Sequence, residues 1–89
     1  MDNKTFGKIL EERTKKFAIS TIRISTSLPN TTEAKVIRNQ LTKSASSVGA
    51  NYREANRSRS KADFYNKIKI FESECSETVY WIDIIIGLS

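Results

Sequence analysis

Arg53, Arg57 and Arg59 fall within seven residues, and Lys61 follows two positions later. Each guanidinium is a planar fork that can hold two oxygens of one phosphate. Ser58 and Ser60 sit among them and offer hydroxyls to the same oxygens. A helix opening just after Ser60 would add backbone N–H donors and the positive end of its dipole. Lys43 and Lys67 lie on either side, within a wider basic set that includes Lys35, Arg38 and Lys69. Phosphate binding is the chemistry open to such a cluster, and RNA or DNA is the partner it points to. Two or three phosphates neutralised per chain would make binding steeply salt-dependent, with a slope of about −0.9 per phosphate on duplex DNA. The opposing reading is a solvated corner whose arginines pair with Glu54, Asp63 or the acidic helix of a neighbouring subunit.

Four polar residues at the same point, Asn51, Glu54, Ser60 and Asp63, are the types that could tie the corner together by hydrogen bonds. A catalytic use of Glu54 with Asp63 needs a paired acid and base around a pocket. The chain has no histidine, no Gly-rich phosphate loop and no nucleophile beside a base, so it reads as non-enzymatic and without a cofactor. Glu72, Glu74 and Glu77 have the carboxylates of a di-iron bundle but lack its Glu-x-x-His partners, and no metal site is expected. These acids fit better against the basic helix of a neighbour. Cys75, the one cysteine, falls on an apolar seam and reads as a core residue rather than a reactive thiol.

The chain that must hold these groups in place is short. Its 89 residues make one domain, 1–89, near the size at which a single core barely suffices. Such chains gain stability from disulfides, metals, close helix packing or self-association. A lone cysteine and the absence of histidine leave the last two. The net charge of +5 is unevenly laid out: residues 1–34 carry six basic and four acidic groups, 35–69 nine and two, and 70–89 none and four. Blocks of this kind either recruit a charged partner to the middle segment or neutralise one another between helices or subunits. The N-terminal MDNKTFGKILEERTKKF lacks the apolar stretch of a secretion signal. The longest apolar run, WIDIIIGL, is eight residues with Asp83 inside it, too short to cross a membrane. A cytoplasmic location without membrane contact is the expectation.

Periodicity predicts three helices, with loops near 29–32 and 56–60. Helix 1 runs from about Lys4 to Ser27, with a seam of Phe6, Leu10, Arg13, Phe17, Thr21, Ile24 and Leu28. Helix 2 follows LPNTTE, capped by Asn30 or Thr32, and its seam is Ala34, Ile37, Leu41, Ala45, Val48, Tyr52 and Ala55. The small residues from Ser44 to Ala50 therefore belong to a helix and form a surface for close approach. Helix 3 opens at Ser60, with Asp63 completing a capping box and Gly87 placed as a terminal glycine. Its seam is Phe64, Ile68, Phe71, Cys75, Thr78, Ile82 and Ile85. From Val79 onward it is apolar nearly all round. Three helices cannot cover that surface, so a fourth helix or another subunit must. Tyr80, Trp81, Ile84 and Ile85 are the expected oligomer interface, although Tyr80 and Trp81 are also able to stack on bases. The fold class is all-α, an antiparallel up-down bundle.

Combined motifs narrow the reading. Gln40-Leu41, Ser44, Ser47-Val48, Ala50-Asn51, Glu54, Ser60, Asp63-Phe64, Lys67-Ile68, Ile70, Glu77-Thr78 and Tyr80-Trp81 resemble the pattern of the four-helix-bundle family of 23S rRNA-intervening-sequence proteins. Phe17-Ala18 and Leu28-Pro29 fit as well, so the similarity covers nearly the whole chain. Where many members read Asn-Ile-Ala-Glu-Gly, this chain reads NYREA, with Ala55 in place of the glycine, and it stops where the family's fourth helix would begin. The resemblance implies a homopentamer with no catalytic activity. The accessory variability determinants of diversity-generating retroelements are a related group that binds nucleic acid and a reverse transcriptase through a basic surface. By that resemblance the chain is an oligomeric RNA- or DNA-binding protein, and a fivefold ring would multiply its basic corner into useful avidity. The alternative is a scaffold for a protein partner, in which the arginines only tune assembly.

Overall fold

A computed structural model describes residues 2–88, which form three helices and no strand. They are α1 (Asn3–Thr26), α2 (Thr32–Asn56) and α3 (Lys61–Leu88). Each start is fixed by a short polar side chain that accepts an otherwise unpaired N–H. Asp2 accepts from Thr5 at 2.7 Å, Thr31 from Ala34 at 3.1 Å, and Ser60 from Asp63 at 3.1 Å. The cap of α2 is thus Thr31, not Asn30 or Thr32: its backbone is extended where the helix begins and its hydroxyl takes the Ala34 N–H. Gly87 does not terminate α3. The helix continues through it to Leu88 without a positive φ, so the left-handed turn that favours glycine is absent there.

α2 lies between its two neighbours, antiparallel to both. Gly7 meets Asn56 and Thr14 meets Gly49, while Arg38 donates to the carbonyl of Ser25. On the other side Glu54 meets Lys67, Tyr52 stacks at 5.5 Å on Phe71, and Ser44 meets Thr78. No Cα of α1 comes within 8 Å of one in α3 among the described residues. All seven predicted seam positions of α2 are buried, Leu41 and Ala45 completely. At the α2–α3 contact, Thr78 Oγ1 lies 3.0 Å from Ser44 Oγ and 2.7 Å from the Glu74 carbonyl. Both hydroxyls are fully buried, and both are satisfied.

α1 departs from the predicted seam except at Thr21. The residues it buries are Gly7, Thr21 and Ser25, with Thr14 and Ala18 half-buried between them. Small side chains allow its backbone to approach α2 closely: a Cβ on Gly49 would stand 3.3 Å from Thr14 Oγ1. The larger apolar groups fall about 80° round the helix, at 100° per residue, and stay on its flank. Phe6, Phe17 and Ile24 are accordingly exposed, at 53%, 39% and 47%. α3 keeps to its predicted seam, with Thr78 buried and Ile68, Phe71, Cys75, Ile82 and Ile85 half-buried, but Phe64 and the flank residues Val79 and Ile86 stay open. Two apolar flanks on a layer of 44 × 23 × 17 Å are more than surface chance supplies.

Candidate nucleic-acid interface

The up-down topology gathers the start of α1, the end of α2 and the start of α3 at one end of the molecule. Four of the predicted phosphate ligands, Arg53, Arg57, Arg59 and Lys61, are found there and are exposed. Their pairing differs from either reading of the sequence. The organising group is Glu11 of α1. Its Oε2 accepts from Asn56 Nδ2 at 3.0 Å, and its Oε1 accepts from Arg57 Nη1 at 3.4 Å with Arg53 Nε at 4.0 Å. The Asn56 bond above all, then the two guanidinium charges, holds the Glu11 carboxyl below the usual range for glutamate. Arg57 Nη1 also donates to the Arg53 carbonyl at 3.0 Å, which closes the end of α2 and fixes the guanidinium. Asn56 comes this close because Gly7 has no side chain: a Cβ there would lie 3.1 Å from Nδ2.

Lys67 pairs with Glu54 at 2.7 Å, across the α2–α3 contact. The bond and the charge of Glu54 raise its ammonium pKa. Arg59 and Lys61 have no acidic partner among the described residues. Lys43 is exposed and likewise unpaired, but it sits about 21 Å back along α2 from Arg57 at 1.5 Å per residue, outside the corner. The polar corner is only partly assembled. Ser60 caps α3 by accepting from the Asp63 backbone N–H, without the return bond from the Asp63 carboxylate among the described residues, and Glu54 joins Lys67, whereas the Asn51 amide turns back to the Ser47 carbonyl at 2.9 Å and takes no part. Asn51 satisfies itself within its own helix, where a carbonyl four residues back is the nearest acceptor.

Sequence reasoning missed Lys4, Lys8, Glu11 and Asn56. With Asn3, Gly7 and Arg57 they line a cleft of about 440 Å³ between α1 and α2. Lys8 and Glu11 also border a second groove that runs on past Lys15 and Arg53. The acids of α1 had masked its lysines in the block charge. The signal lay in the helical hairpin, which must set residues near 4–11 against those near 53–57. Asp2, Glu12 and Asp63 are the other acids at this end, and Asp2 and Asp63 lie at helix starts.

At the far half of α3, Tyr80 is mostly exposed and packs edge-on against Trp81 at 5.1 Å. The indole Nε1 lies 3.4 Å from Glu77 Oε2. Ile84 and Ile85 are half-buried, and Ile85 lines an apolar cleft of about 310 Å³ with Leu28, Ala34 and Ile37. Cys75 is half-buried. Burial first, then Glu72 and Glu74, pushes its thiol pKa up, the opposite of what a reactive thiolate requires. No cluster of three metal-ligating side chains occurs among the described residues, and none of their helices is long and apolar enough to cross a membrane.

Comparison with known proteins agrees with this architecture. A crystal structure at 1.70 Å of a protein of unknown function from the S23 ribosomal protein family of Bacteroides thetaiotaomicron VPI-5482 superposes with a TM-score of 0.82 at 34% identity. The alignment covers 93% of this chain and 74% of that one. No match is found among the curated proteins. The family model for 23S rRNA-intervening sequence proteins matches residues 9–89. The chain therefore belongs to the 23S rRNA-intervening sequence protein family.

Proposed function

We propose that this chain is a non-enzymatic, self-associating helical protein that binds RNA or DNA through the end where its three helices converge. The observation that carries the binding reading is the meeting there of cations from three separate segments, with Lys4, Lys8, Arg59 and Lys61 all lacking an acidic partner among the described residues. Self-association rests on the apolar flanks of α1 and α3, with Tyr80 and Trp81 as further contact groups. Family resemblance favours five copies in a ring, which would set several basic ends side by side and strengthen weak single contacts.

A second reading has its own support. Arg53, Arg57 and Lys67 are already engaged by Glu11 and Glu54, as they would be in a scaffold that docks a protein and uses its arginines to brace itself. Reversing Arg53 and Arg57 would disturb the α1–α2 lock, so Arg59→Glu with Lys61→Glu is the cleaner test. RNA affinity and particle mass are measured together. Loss of affinity at unchanged mass supports nucleic-acid binding. Unchanged affinity with altered mass supports the scaffold.

A further inference from the structure

We propose that the cleft between the start of α1 and the end of α2 is a seat for a phosphate of the nucleic-acid backbone, held by Lys4, Lys8 and Arg57. This inference rests on the nucleic-acid reading above and assigns it a place that the sequence cluster did not include. Three features support it.

The cleft has a concave shape of about 440 Å³, lined by Asn3, Lys4, Lys8, Asn56 and Arg57, with Gly7 leaving room between the helices. Its one lining carboxylate, Glu11, is occupied on both oxygens, by Asn56 and by Arg57. That arrangement partly spends the negative charge within the wall. It also holds the Arg57 guanidinium in place through Nη1, while its Nε and Nη2 make no bond among the described residues. An arginine fixed on one edge and free on the other is prepared for a phosphate, because less freedom is lost when the oxygens arrive. Lys4 and Lys8 stand one turn apart on the same helix, and neither has an acidic partner among the described residues. Beyond Lys8 the surface continues into the groove bordered by Glu12, Lys15 and Arg53. From Lys4 to Lys15 that path measures about 16 Å along the helix, enough for successive phosphates of one strand.

The test is anisotropy of a short labelled single-stranded RNA against the whole chain between about 50 and 200 mM salt. The variants are Lys4→Gln with Lys8→Gln and, separately, Arg59→Gln with Lys61→Gln. Both lysines of the first pair are exposed, so circular dichroism should be unchanged. Two lost phosphate contacts on a single strand reduce the salt slope by about 1.4 and the affinity about 25-fold near 0.1 M salt. That result supports the cleft. If the Lys4/Lys8 variant keeps the slope and affinity of the natural chain while the Arg59/Lys61 variant loses them, the cleft is wrong and nucleic-acid binding stands. If the natural chain binds no RNA at either salt, both are wrong.

Discussion

Gly49 offers the sharpest test of how α1 and α2 meet. A Cβ added there stands 3.3 Å from Thr14 Oγ1 and 3.6 Å from the Thr14 backbone carbon. The hydroxyl is not free to swing aside without loss, since it donates to the Glu11 carbonyl at 3.0 Å. Gly49→Ala gains about 1 kcal/mol of helix propensity. It gives much of that back by forcing a shift of a few tenths of an ångström, so its effect is close to zero. Gly49→Val is different. Its χ1 is stiff, its propensity gain is about half as large, and overpacking costs about 1–3 kcal/mol. The expected net loss is about 1–2 kcal/mol, or roughly 4–16 °C in Tm for a chain of this size. Gly87→Ala is the control. Nothing lies within 4 Å of its added Cβ, and it sits in a helix, so it should leave Tm unchanged or raise it slightly. Melting curves followed by circular dichroism decide the matter. A Gly49→Val chain that melts at or above the natural one would refute close approach of the two backbones.

Leu41 is fully buried at the middle of the central helix, and Leu41→Ala should cost about 2–5 kcal/mol in denaturant titration. Glu11→Gln should cost about 1 kcal/mol at neutral pH, because a partly exposed ion pair contributes little and the hydrogen bonds to the charged form somewhat more. Since the folded-state pKa of Glu11 is depressed, its contribution is present above the unfolded glutamate value of 4.5 and is lost as pH falls through the folded one. The stability gap between the natural chain and Glu11→Gln should therefore close on acidification below pH 4.5, as read by urea titrations across pH. A gap that widens in acid would remove Glu11 as the hub.

How far the sequence could be read follows from which surfaces are covered. α2 has neighbours on two sides, so its buried seam and its apolar periodicity coincide, and all seven positions were legible. α1 has one neighbour, met through Gly7, Thr14, Ala18, Thr21 and Ser25. Its large apolar residues mark a face that this chain leaves open, and hydrophobic spacing does not distinguish a face covered within the chain from one awaiting a partner. α3 also has one neighbour, yet its predicted seam holds: Thr78 is buried, Ile68, Phe71, Cys75, Ile82 and Ile85 are half-buried, and only Phe64 of the seven is exposed. At the corner, the types and number of cations could be read directly. Their pairing could not, because Glu11 lies 45 residues before Asn56 in the chain and meets it only once the hairpin closes. Asn51 had the right type and position along α2, yet a nearer acceptor within its own helix took its amide.

Self-association, as proposed above, covers the open flanks of α1 and α3 with further copies of the chain. Sedimentation equilibrium on a dilution series measures this directly. The expected result is a mass several times 10.1 kDa that persists on dilution, and a fall toward 10.1 kDa for Phe17→Glu with Ile24→Glu, with helix content retained. A natural chain that sediments at 10.1 kDa across the whole series while remaining folded would contradict it.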